Sequence, residues 1–215
     1  MSGITFSPDE TGPNIHIMVH HYCSEEFLFQ TITMYDEDER ERVYQEIVEN
    51  KNWYWGRFKD GHRAAYMKRR IMAESQMYRD FSEKYWSPKE RCPVYFYLYP
   101  DFSKTVIEQR LLDRHERDEP HTKYLLVDTR DLDDVTNISF TISDSLTSYK
   151  QKLIRQGAEY NGSIPITEYV DHGTIFHIGE IAQLIEKYED KVDLHFEVQV
   201  WDRNVLNKWL KRKIK

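Results

Sequence analysis

The sequence predicts an α+β fold, with a helical N-terminal half and mostly antiparallel strands beyond it. Period-two alternation is the first observation. Residues 93–99 set Val94, Phe96 and Leu98 against Tyr95, Tyr97 and Tyr99, and residues 193–201 set Leu194, Phe196, Val198 and Val200 against His195, Glu197, Gln199 and Trp201. The second is helical spacing over 62–85, where Met67, Ile71, Tyr78, Phe81 and Tyr85 recur on one face. The third is order: helical patterns dominate before residue 90 and strand patterns after it, as segregated α+β folds require.

The elements follow in turn. Residues 1–14 carry Pro8, Gly12 and Pro13 and read as a flexible leader, leaving 15–215 as one domain without an internal repeat or Pro/Gly linker. A strand is expected over 15–22, holding His16, His20 and His21. Ser24 would then cap a helix opening with Glu25 and Glu26, with Phe27, Leu28, Thr31 and Ile32 facing inward. A second helix over 36–50 has acids at its start and Val43, Ile47 and Val48 inside; Asn52 to Gly56 breaks it. The long helix over 62–85 carries the basic run Lys68-Arg69-Arg70. Further helices are expected over 103–117 and 178–188, with Ile178, Ile181, Ile185 and Tyr188 on one face of the latter, and strands over 124–127 and 137–142.

Composition bounds the function. The chain has 215 residues, 40% of them hydrophobic and 31% charged, with a mean hydropathy of -0.76. No run of about 18 apolar residues exists, so no membrane partner is expected. Lys+Arg 30 against Asp+Glu 37 gives a net charge of -7, so a polyanion would need a local basic patch. The two cysteines, Cys23 and Cys92, form no CxxC, and Met1 to Thr5 lacks the character of a signal peptide. A cytoplasmic setting with free thiols is the expectation. The nine histidines are scattered without an HExxH pattern, so no metal is expected.

Several groups are candidates for chemistry. Glu197 is a carboxylate in mid-strand. It either lines a cleft and stabilises a cationic transition state or faces water, as one side of an antiparallel sheet often does. Trp201 on the same side favours a partly covered groove. The run His20-His21-Tyr22-Cys23-Ser24 joins a strand to a helix, where a histidine can hydrogen-bond a ribose or simply tie a turn. Arg69 or Arg70 can grip a diphosphate bidentately, or belong to a solvated face. The His172-Gly173-Thr174 element is like that of two-histidine phosphoesterases, which need a second such histidine. The basic end Lys208 to Lys215 either touches phosphates or complements a helix C-terminus.

Taken in order, three pieces resemble the ADP-ribosyltransferase superfamily, and within it the DarT-type toxins that modify DNA. His20-His21-Tyr22-Cys23-Ser24-Glu25-Glu26-Phe27 is similar to its first strand and helix. Pro93-Val94-Tyr95-Phe96-Tyr97 is similar to an aromatic middle segment, followed by Tyr124 to Val127 and the element Phe140-Thr141-Ile142-Ser143-Asp144. Phe196-Glu197-Val198-Gln199-Val200 resembles the last core strand, which carries the catalytic glutamate. Cys23 and Phe27 depart from the family's opening, where a threonine and a second histidine are usual.

The resemblance implies an ADP-ribosyltransferase-like core that consumes NAD as co-substrate. Glu197 would be catalytic with Arg70, while His21, Ser24, Tyr95, Tyr97, Thr141 and Ser143 would bind the cofactor. Single-stranded DNA or RNA is the implied acceptor, and a toxin of this type implies a cognate antitoxin. The rivals are a non-catalytic binding or inhibitor protein on the same scaffold, and a phosphodiesterase using His172.

Overall fold

The computed structural model describes residues 15–22, 25–49, 62–117, 123–159, 169–188, 190 and 194–214. The leader at 1–14, Cys23, Ser24, the break at 52–56 and Asp193 lie outside them. Among the described residues, six strands form one antiparallel sheet in the order β3-β1-β2-β6-β4-β5. They are β1 (Ile17–Tyr22), β2 (Val94–Leu98), β3 (Lys123–Asp128), β4 (Ile138–Ile142), β5 (Phe176–His177) and β6 (Phe196–Val200). The α-helices among the described residues are α1 (Glu37–Glu49), α2 (Arg63–Lys84), α3 (Lys104–Arg117), α4 (Ser145–Ser148), α5 (Lys150–Arg155), α6 (Ile181–Lys187) and α7 (Arg203–Lys213). The class is α+β. None of the described helices is long and apolar enough to cross a membrane.

Strand alternation divides the interior into two layers. Phe96, Phe140, Phe196 and Val198 point to one side, where Ile181 and Leu184 of α6 and Val205, Leu206 and Trp209 of α7 cover them. On the other side lie Tyr95, Glu197, Gln199 and Trp201, beneath α2, α4 and α5. There Trp201 packs with Met77 and Phe81 of α2 and Leu153 of α5. Ile107 and Leu111 of α3 close over Val19. The start of α1 is capped locally. Asp36 Oδ1 accepts the Glu39 N–H at 2.9 Å while the Glu39 carboxylate accepts the Asp36 N–H at 3.4 Å, a reciprocal cap.

The differences from expectation have local causes. In place of a helix after Ser24 there are two single 3-10 turns, Glu25–Phe27 and Ile32–Met34. Phe29 between them has φ 57°, a left-handed conformation that cannot extend a right-handed helix. Burial of its ring at 2% exposure in the same core as Phe96 holds it there. The last strand spans 196–200, not 193–201, because Asp202 caps the next helix, accepting the Asn204 N–H at 3.1 Å. On α2, Ile71 is 43% exposed, whereas Arg70 and Glu74 occupy the buried face. The polar side of β6 is not wet: all five of its residues are buried. Helices α4 and α5 are too short to show a periodic pattern. The basic end forms the last turn of α7, where cations suit the helix dipole. Arg212 pairs with Asp133 there, and Lys213 reaches Asp131 at 2.8 Å.

Candidate functional site

Strand β1 pairs with β3 along its whole length, from Ile17↔Asp128 to Tyr22↔Lys123. It pairs with β2 at one position, Val19↔Tyr97, and a cleft opens beyond it. His20 holds the split. Its Nε2 accepts the Phe29 N–H at 3.3 Å, so its Nδ1 carries the proton and donates to the Tyr95 carbonyl at 2.8 Å. Burial lowers its pKa to about 4, against the opposing Tyr95 hydrogen bond, and the ring is neutral. Of the two adjacent histidines, His20 ties the turn and His21 faces the cleft.

Aromatic rings wall this cleft, among them Tyr22, Phe27, Tyr35 and Tyr66, together with His21. Arg70, Tyr95 and Glu197 line it too, and Arg70 and Glu197 are 4% and 1% exposed, so they form its deepest part. Helix α2 supplies the cation because Tyr66, Arg70 and Glu74 recur every four residues on one face. Strands β2 and β6 supply the rest: Tyr95 pairs with Gln199 and Tyr97 with Glu197, which makes Tyr95 and Glu197 diagonal neighbours on one face.

The guanidinium of Arg70 is enclosed. Its Nη1 donates to Ser145 Oγ at 2.9 Å and lies 3.6 Å from Glu197 Oε2, and its Nη2 donates to Tyr66 Oη at 3.4 Å and lies 4.0 Å from Asp144 Oδ2. Its central carbon sits 4.4 Å from the centre of the Tyr95 ring. Glu197 Oε2 also accepts the Ser145 N–H, the first amide of α4, at 2.8 Å. Tyr95 Oη donates to Glu74 Oε1 at 2.9 Å.

These contacts set the protonation states. Burial and the nearby Asp144 raise the Glu197 carboxyl above the ordinary range, while Arg70 and Ser145 pull it back. Burial pushes Glu74 up to about 7, against the pull of Arg70 and Tyr95. Burial disfavours the charge of Arg70, but Tyr66, Glu197, Tyr95 and Asp144 hold it protonated well beyond its usual range. The result is one cation between two carboxyls of raised basicity.

Of the residues expected at the site, His21, Arg70, Tyr95 and Glu197 line the cleft. The alternative arginine, Arg69, donates to the Glu159 carbonyl at 2.9 Å instead. Tyr97, Thr141 and Ser143 do not line it. Tyr97 is buried between the rings of His21 and Tyr99, at 5.9 and 6.3 Å. The buried Thr141 hydroxyl donates to the Ser143 carbonyl at 3.3 Å and accepts the Gln199 amide at 3.2 Å. Ser143, at φ 61°, donates its N–H to the His195 carbonyl at 2.9 Å. Ser24 lies outside the described residues. His172 lines a separate cavity, which no second histidine among the described residues shares. Tyr66, Glu74 and Ser145 were not foreseen, although one-turn spacing from Arg70 marks the first two.

The polar layer continues past the cleft. Ser139 Oγ donates to Gln199 Oε1 at 3.0 Å and accepts Trp201 Nε1–H at 2.8 Å, while Gln199 Nε2 donates to the Glu197 carbonyl at 2.8 Å. No family model, curated protein or solved structure matches the chain.

Proposed function

We propose that this chain transfers ADP-ribose from NAD to a macromolecular acceptor, with Glu197 as the catalytic carboxylate. One observation carries the reading: His21, Arg70, Tyr95 and Glu197, drawn from β1, α2, β2 and β6, share one cleft. These are residues that the superfamily resemblance marks, and nothing in their spacing along the chain requires them to meet. Their chemistry suits NAD, because aromatic walls offer stacking faces and a buried ion pair lies at the deep end.

When bound, NAD supplies a glycosidic bond to a cationic nicotinamide. Glu197 faces that chemistry with one oxygen anchored. Oε2 holds the Ser145 amide at 2.8 Å. A preorganised carboxylate in a dry site stabilises positive charge far better than one in water. Its raised basicity also suits it to take a proton from an acceptor group. Arg70 positions the carboxylate and limits that rise; Tyr95 and His21, which line the cleft, would contact the cofactor. Single-stranded DNA or RNA is the proposed acceptor. A toxin acting in the cytoplasm, restrained by an antitoxin, is the corresponding biological role.

Nicotinamide release, measured with and without single-stranded DNA or RNA, tests the reading. Wild-type protein should turn NAD over, and Glu197→Gln should lose at least about a hundredfold, the scale of a lost electrostatic stabiliser. A folded Glu197→Gln protein with the wild-type rate would remove the proposal. A second reading, a non-catalytic binding or inhibitor protein, is favoured by the way Arg70, Glu197 and Ser145 satisfy one another within a longer polar layer. It predicts neither NAD binding nor turnover by the wild type.

A further inference from the structure

The cavity that His172 lines has a character the transferase reading does not use. Its walls are the α4–α5 turn and the Tyr169–Gly173 turn. Thr147, Ser148, Lys150, Lys152 and Arg155 line it from the first side, with His172 opposite, and no carboxylate is among the described lining residues. In a chain of net charge -7 that concentration of cations is a departure from the background. The cavity's three cations, Lys150, Lys152 and Arg155, all come from α5.

The cavity is shaped as well as charged. Gly173 has φ +78°, a conformation that glycine adopts without strain, and the Lys152 stem lies in van der Waals reach of the turn. The Gly173 N–H donates to Ser148 Oγ at 3.2 Å, which joins the two walls and uses the hydroxyl only as an acceptor. Ser148 is 3% exposed. Its hydroxyl proton has no acceptor among the described residues and remains available to an anionic ligand. Lys152 pairs with Asp80 at 2.7 Å, and Arg155 and Lys150 line the cavity beside it. A guanidinium fork with ammonium and hydroxyl donors is the donor set that recognises phosphate oxygens.

We infer that this cavity is a phosphate-binding site, occupied by a free phosphate or diphosphate group or by the backbone phosphate of a single strand. The inference stands without the transferase reading.

Titrating the full-length protein with pyrophosphate by calorimetry, and with a fluorescein-labelled ten-nucleotide strand by anisotropy, tests it. Arg155→Ala and Lys150→Ala remove exposed or half-buried side chains. Each should weaken binding about tenfold, the worth of one charge-assisted hydrogen bond. For the strand, each should also reduce the salt slope by about 0.7. Lys211→Ala, an exposed cation on α7, should bind as the wild type does. Weakening confined to pyrophosphate identifies a free phosphate as the occupant, and weakening of strand binding identifies a backbone phosphate. The inference is overturned if wild-type protein binds neither probe, if the cavity variants bind normally, or if Lys211→Ala loses as much as they do.

Discussion

Arg70 and Glu197 illustrate how a buried ion pair depends on both partners. Each charge has left water, and the enclosure is repaid only while the other remains. Arg70→Met should therefore cost about 3 kcal/mol in a denaturant unfolding experiment, because it strands Glu197 beside Asp144. Adding Glu197→Gln to Arg70→Met should cost less than the sum of the single changes, by about 1 kcal/mol. Strict additivity would show that the two side chains do not act as a unit. The environment of Arg70 also differs from that of its sequence neighbours. Lys68 is exposed and Arg69 bonds a loop carbonyl, yet their neighbour in the same basic run is enclosed.

Strand β6 shows what a central position does to an alternating pattern. Its apolar side packs on α6 and α7, and its polar side is roofed by helices instead of water. Polar residues tolerate that burial because they bond along and across strands, from Trp201 through Ser139 to Gln199 and Thr141. Gln199→Leu should lower stability by about 2 kcal/mol, since the Ser139 hydroxyl and the Glu197 carbonyl lose partners in a dry layer. A thermal midpoint equal to that of the wild type would show that the chain of bonds contributes no net stability. The short pairing of β1 with β2 belongs to this scale too. A full ladder there would close the cleft; His20 replaces it with two side-chain bonds.

For the molecule as a whole, two buried groups give stability opposite pH dependences. His20 is lowered from 6.5 to about 4, so the unfolded chain binds the extra proton in that window, and stability falls as pH falls through it. Glu74 is raised from 4.5 to about 7, so the folded chain binds the extra proton, and stability falls as pH rises through that window. Each is worth about 3 kcal/mol across its range, and in the overlap from 4.5 to 6.5 the two slopes nearly cancel. Urea unfolding at pH 4.5, 5.5 and 6.5 should show the balance disturbed in opposite directions. Relative to wild type, Glu74→Gln should gain stability as pH rises and His20→Gln should lose it. Parallel profiles for the two variants would show that neither group titrates with folding.

While the family resemblance nominated His21, Arg70, Tyr95 and Glu197, local pattern determined the α+β class, the long helix and the alternating faces of β2 and β6, because period is written in neighbouring residues. It also left Arg70 level with Arg69, and Glu197 level with a solvent-facing carboxylate. Spacing along a chain says nothing about what covers a face. Tertiary structure decided those points. Helix α2 laid its Tyr66, Arg70 and Glu74 face over the polar side of the sheet. It also set Tyr97, Thr141 and Ser143 away from the cleft that their strands help to build. Burial, charge pairing and the opening between β1 and β2 arise only when distant segments meet, since desolvation is a property of the surroundings and not of the residue.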